Sequence, residues 1–173
     1  VEDALLQTGL AAARLELEIS ERVFQGDVYA AEDMLAHLRK LGVKLALDGF
    51  GAGHFPLGHL SEAAFDRIKI GQGLVSGCIA DEGGSAAVLS AIIHLARGLS
   101  MQSTLTGIEA MDELAAIAKL GADMLQGYVF AEPAPQAEVL ARLAAGDLRY
   151  VPSGPKQFRS ERRSVLRRVG VIH

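Results

Sequence analysis

The sequence predicts an α/β fold with parallel strands, and three observations carry that prediction. Five short apolar segments rich in Leu, Ile or Val stand out along the chain. Helical apolar patterns lie between them. The segments begin near residues 14, 43, 66, 101 and 123, a spacing that fits strand–helix units of unequal loop length.

The strand candidates are RLELEIS (14–20), VKLALDGF (43–50), DRIKIG (66–71), MQSTLTGI (101–108) and DMLQGYVF (123–130). The first helical pattern, 29–42, places Ala30, Met34, Leu35, Leu38 and Leu41 on one face and stops at Gly42. The next, 83–100, is apolar enough to be buried and offers Ser85 as an N-cap. The pattern at 109–122 exits at Gly121, and a last helix is expected over 135–147. The five segments do not resemble one another, so no internal repeat is present.

Composition narrows the class. At 173 residues the chain is long enough for one domain with a core, and half of its residues are hydrophobic, which excludes a disordered chain. Aromatic residues make up 5% and Trp is absent, so aliphatic side chains should dominate the interior. A lone cysteine, Cys78, excludes a disulfide framework and suits a reducing, cytoplasmic setting. No run is long and apolar enough to span a bilayer. The first residue is Val, so upstream sequence is expected outside this chain, and whether it carries a membrane tether stays open. The net charge of −4 is uneven: residues 147–173 carry seven bases against two acids, while residues 1–146 carry 10 bases and 19 acids. An acidic body argues against direct nucleic-acid binding. The basic stretch KQFRSERRSVLRRVG (156–170) suits an anionic surface, or is a solvated tail.

Function is expected at the C-terminal ends of the strands, where parallel α/β folds place their ligands. Those ends carry Glu18, Asp48, Lys69, Thr106 and Gln126. Any strand must end in something polar, so the coincidence across five strands counts for more than any one residue. Carboxylates, an amide and an ammonium suit a hard divalent cation and a phosphate. Lys69 is placed to orient a water or stabilise an oxyanion. Zinc-type His/Cys spacing and a phosphate loop of the GxxxxGK[ST] kind are both missing.

The motifs LELEISE, LALDGFGAGH, FDRIKIG, LTGIEA and LGADMLQGYVFAEPAP, in that order, resemble the EAL domain, the bacterial phosphodiesterase of cyclic di-GMP. The resemblance runs from about Val1 to Leu143 and implies a TIM-like (β/α)8 barrel of which roughly the last five βα units are present. Residues 1–146 then form the C-terminal portion of an EAL-like domain and 147–173 a basic extension. The resemblance makes Glu18 and Asp48 metal ligands, Lys69 a catalytic group, and Glu21 and Glu109 anchors of the catalytic loop. It assigns ligand contact to Gln126, Gly127, Tyr128 and Pro133. The EAL motif itself and the Asn-bearing strand after it would fall before Val1.

Departures from the family pattern decide the expected function. The family's DDFGTGYSSL reads DGFGAGHFPL here, so its second Asp is Gly49. Its KID reads KIG, ending at Gly71, and its AEGVET reads LTGIEA, with Thr106 in place of a metal-binding Glu. Hydrolysis by two metals needs ions about 3.5–4 Å apart with enough anionic ligands to offset their repulsion. The expectation is therefore a vestigial centre holding at most one Mg2+ or Mn2+. Three readings stay open: a non-hydrolytic cyclic di-GMP receptor or regulatory module, a protein-binding module that no longer takes nucleotide, and a weakly active phosphodiesterase. His54 and His59 are either ligand contacts or ordinary surface residues. A homodimer is expected by analogy, with FPLGHLSEAAFDRI (55–68) as an apolar face.

Overall fold

The computed structural model describes residues 1–51, 53, 55, 57–60, 65–80 and 84–146. Helix α1 (Glu2–Thr8) leads into strand β1 (Glu16–Ser20), helix α2 (Val28–Lys40), strand β2 (Lys44–Phe50) and strand β3 (Arg67–Ile70). Helices α3 (Gln72–Ile79) and α4 (Ser85–Gly98), strand β4 (Gln102–Leu105), helix α5 (Met111–Ile117), strand β5 (Met124–Leu125) and helix α6 (Gln136–Ala144) follow. The five strands form one parallel sheet in the order β1-β2-β3-β4-β5. This is the strand–helix alternation expected from the sequence.

Side chains alternate across the sheet, and its two faces differ in chemistry. Leu45, Leu47, Ile68, Ile70 and Leu105 are fully buried on one face. There they pack beneath helices through residues such as Leu35, Leu89, Ile93 and Leu114. The opposite face carries Glu16, Glu18, Asp48, Arg67, Lys69, Gln102 and Thr104. In a closed barrel that face is the inner wall, so the polar residues share one interior.

Local chemistry explains the boundaries. Asp27 caps α2 by accepting the Ala30 amide at 3.2 Å. Gly42 and Gly121 take φ of 81° and 76°, so the stops expected at both glycines are present. Leu35, Leu38 and Leu41 of the expected α2 face lie against the core, and the departure is at its edge. Ala31 and Leu35 are buried, whereas Met34 is 39% exposed and Ala30 is also exposed. Ala31 joins Leu35 in one cluster with Phe24, Leu45 and Leu47, so the edge of the stripe falls at Ala31 rather than at Ala30 and Met34. Ser85 is the first residue of α4 rather than its cap; Gly84, with φ 92°, holds the cap position. Helix α3 was not expected, because QGLVSGCI holds two glycines and shows little amphipathic contrast. Strand β5 keeps only two residues of the segment 123–130.

The interior is mainly aliphatic, as expected, but four of the six phenylalanines form one cluster within it. Phe24 and Phe55 meet edge to face at 4.5 Å between ring centroids, with Phe50 and Phe65 within 6.5 Å of Phe55. Phe55, Leu60 and Phe65 are all at most 8% exposed. The apolar content of the segment 55–68 is therefore largely spent on the core, and only Leu57 among its described large apolar residues faces solvent. No described helix is long and apolar enough to cross a membrane. The basic extension 147–173 and His54 lie outside the described residues.

Candidate functional site

Parallel pairing brings the strand ends to one rim. Ser20 lies opposite Asp48 on β1 and β2, and Lys69 opposite Thr104 on β3 and β4. On β2 the register slips by one residue between Leu47 and Phe50. Gly49 sits in that bulge with φ 76°, a left-handed conformation in which glycine carries no steric penalty. Gly49 is therefore a backbone device as well as a position without a carboxylate. A Cβ built there would meet nothing within 4 Å, so side-chain volume is not what the site lacks.

Lys69 is the centre of the group. Its side chain is 6% exposed, and Nζ donates to Glu18 Oε1 at 2.5 Å, with Asp48 Oδ1 at 3.9 Å. Glu18 and Asp48 are about half exposed on the open face of the sheet, at 50% and 45%. The ammonium thus lies between the two retained carboxylates. Thr106 turns away from this group: its hydroxyl donates to the Ile70 carbonyl at 2.9 Å, and its amide reaches the same oxygen at 3.1 Å. Gly71 donates its amide to the Phe50 carbonyl, and a Cβ there would make only ordinary contacts with the Gly49 backbone.

Glu21 is 3% exposed and lines a cavity of about 430 Å³ with Phe50, Gly51, Gly53 and Phe55 of the loop after β2. Glu109 is exposed and accepts from Gln72 Nε2 at 3.2 Å. Gln72 also packs against Gly107, where a Cβ would come within 2.5 Å of its side chain. Gln72 belongs to none of the motifs, and its place directly after Gly71 is its one signal in the sequence. His59 pairs with Glu32 of α2 at 2.8 Å.

Gln126, Tyr128 and Pro133 are exposed after β5, with Tyr128 at 60%. Gly127 has a plain packing reason: a Cβ would fall 1.9 Å from the Ile108 carbonyl oxygen and 2.4 Å from its nitrogen. The same crossing carries backbone bonds from Ile108 to Gln126 and from Val129 to Ile108.

A second polar layer lies one step toward the strand N-termini. Arg67 Nε stands 3.1 Å from Glu16 Oε2, its Nη2 donates to Gln102 Oε1 at 3.0 Å, and its Nη1 contacts the Met124 sulfur. Behind the sheet, Asp123 accepts from the amide and hydroxyl of Ser103, each at 2.8 Å, which ties β4 to the start of β5. A cleft of about 520 Å³ lined by Arg39, Lys44, Asp66, Ser100 and Gln102 opens at this opposite end. It contains none of the rim residues, and strand N-termini are where α/β barrels keep stability rather than chemistry.

The donor set fits a divalent ion poorly. Among the described residues no three His, Cys, Asp or Glu side chains are grouped to hold a metal. Glu18 and Asp48 supply two carboxylates with an ammonium between them, and the Thr106 proton is directed to backbone.

A parallel sheet with a polar inner wall, and an acid–lysine group at its strand C-termini, defines a barrel of the (β/α)8 class, present here over five units. The comparisons with known proteins agree. The sequence profile of the EAL domain matches residues 1–133, and the chain belongs to the EAL domain family. It is 33% identical over 137 residues to the cyclic di-GMP phosphodiesterase NbdA of Pseudomonas aeruginosa, covering 79% of this chain and 17% of that protein. The solved MucR phosphodiesterase complex with cyclic di-GMP superposes with a TM-score of 0.74 at 30% identity, over 80% of this chain and 56% of that one. Klebsiella pneumoniae BlrP1, solved with manganese and cyclic di-GMP, matches with a TM-score of 0.69 at 29% identity, over 76% and 33% of the two chains. The chain thus spans about a fifth of the length of curated relatives such as NbdA and MucR.

Proposed function

We propose that this chain is part of a catalytically degenerate EAL domain, acting in bacterial signalling as a non-hydrolytic receptor or regulatory module for cyclic di-GMP. The observation that carries this reading is the chemistry at two rim positions. Gly49 contributes backbone alone, and Thr106 donates its hydroxyl to Ile70. Two negative charges are absent where a pair of divalent ions would need them, and removing such charge-stabilising groups costs several kcal/mol of barrier. Binding makes smaller demands than cleavage. A cyclic dinucleotide needs a shaped floor, stacking and phosphate contacts. Tyr128 offers an exposed ring, and Gln126 and Lys69 offer donors on the same rim.

Calorimetric titration of the protein with cyclic di-GMP, with chromatography of the incubated nucleotide, tests the reading. Micromolar binding without linear dinucleotide product is expected. Turnover at the rate of NbdA assayed alongside would restore the enzyme reading. Absence of heat at saturating nucleotide would move the domain to a protein-binding role.

A further inference from the structure

We infer that Gln72 is a positioning residue of the rim: its side-chain amide holds the Glu109 carboxylate and so fixes the turn after β4 against the segment that carries Gln126 and Tyr128. The inference rests on the reading of the domain as a nucleotide receptor and adds to it a residue that acts through that turn.

The contacts run in a chain from one strand end to the next. Ile70 lies opposite Leu105 in the sheet, which brings Gln72, just past β3, beside Gly107, just past β4. Gly107 has φ 76°, and a Cβ on it would fall 2.5 Å from the Gln72 Cβ and 3.0 Å from its Cδ. The Gln72 side chain therefore lies along the turn itself, and its Nε2 donates to Glu109 Oε1 at 3.2 Å. The turn is also held from α5, where Glu113 Oε2 accepts the Glu109 and Ala110 amides at 2.7 and 3.1 Å. Next to Glu109 stands Ile108, which is fully buried. Its amide donates to the Gln126 carbonyl at 3.2 Å, and its carbonyl accepts the Val129 amide at 3.1 Å. The turn that Gln72 grips is thus the one that fastens the backbone on both sides of Tyr128. Glutamine suits the place because an ionised carboxylate only accepts, so the partner of Glu109 must be a donor.

Amide hydrogen exchange read by NMR, without nucleotide, tests the clasp. Gln72→Glu keeps the size and removes the donor, and an acidic first residue does not weaken α3. Exchange at the Ile108 and Val129 amides should quicken about fivefold, as the loss of one hydrogen bond implies. Gln72→Met, which keeps the volume over Gly107, should do the same. Adding Glu109→Gln to Gln72→Glu exchanges donor and acceptor and should restore wild-type protection, a recovery that a merely space-filling Gln72 would not show. In calorimetric titration with cyclic di-GMP, Gln72→Glu should bind about fivefold more weakly than wild type, and the exchanged pair should recover. Unchanged exchange in both single variants, a double variant as unprotected as Gln72→Glu, or nucleotide affinity untouched while exchange quickens overturns the inference. A wild-type chain that binds no nucleotide overturns the receptor reading instead, and the exchange arms then still decide whether the clasp holds the turn.

Discussion

Two glycine-to-alanine substitutions separate packing from backbone conformation at the rim. At Gly127 the new Cβ would lie 1.9 Å from the Ile108 oxygen and 2.6 Å from its carbonyl carbon. Those atoms are backbone, so a rotamer change cannot relieve the overlap. The crossing must open, which endangers the bonds from the Ile108 amide to Gln126 at 3.2 Å and from the Val129 amide to Ile108 at 3.1 Å. Two backbone bonds contribute about 1 kcal/mol each, and forcing extra volume into a packed site costs about 1–3 kcal/mol. The expected loss for Gly127→Ala is about 3–5 kcal/mol. At Gly49 the Cβ meets nothing within 4 Å, so the cost comes from φ 76° alone; it should be about 1 kcal/mol. Urea denaturation followed by circular dichroism reads both variants under one protocol. A Gly127→Ala variant within about 0.5 kcal/mol of wild type, or equal to Gly49→Ala, would refute the close approach and return Gly127 to a purely ligand-facing role.

Two further expectations concern the layers below and beside the site. Arg67→Met should cost about 2–3 kcal/mol, because it leaves the Glu16 carboxylate and the Gln102 amide oxygen without the guanidinium that joins them; a urea midpoint unchanged from wild type would count against that layer. Phe55→Ala removes the ring that touches Phe24, Phe50 and Phe65 and should cost about 3–4 kcal/mol in the same assay, while a loss below about 1 kcal/mol would show that the loop after β2 is not held by this cluster.

Much of the architecture was legible in one dimension because hydrophobic period and glycine punctuation are local. The five strand segments, the stops at Gly42 and Gly121, and the polar residues at the strand ends follow from spacing and residue type. Helix α3 escaped notice because its two glycines and even hydrophobicity carry little periodic signal. On α2 the spacing gave Leu35, Leu38 and Leu41 their place against the core, whereas covering Ala31 in place of Ala30 and Met34 depends on Phe24, a partner outside the helix.

Residue identity alone determined which charges the rim can hold: a carboxylate at 18 and 48, an ammonium at 69, and none at 49, 71 or 106. Tertiary structure decided how those charges are used. It placed the Lys69 ammonium between Glu18 and Asp48, turned the Thr106 hydroxyl onto Ile70 and set Gly49 in a left-handed bulge. The reason is that strand period fixes the face on which a side chain stands, whereas distances between side chains on different strands depend on register and bulge. Those in turn depend on how the helices close over the sheet.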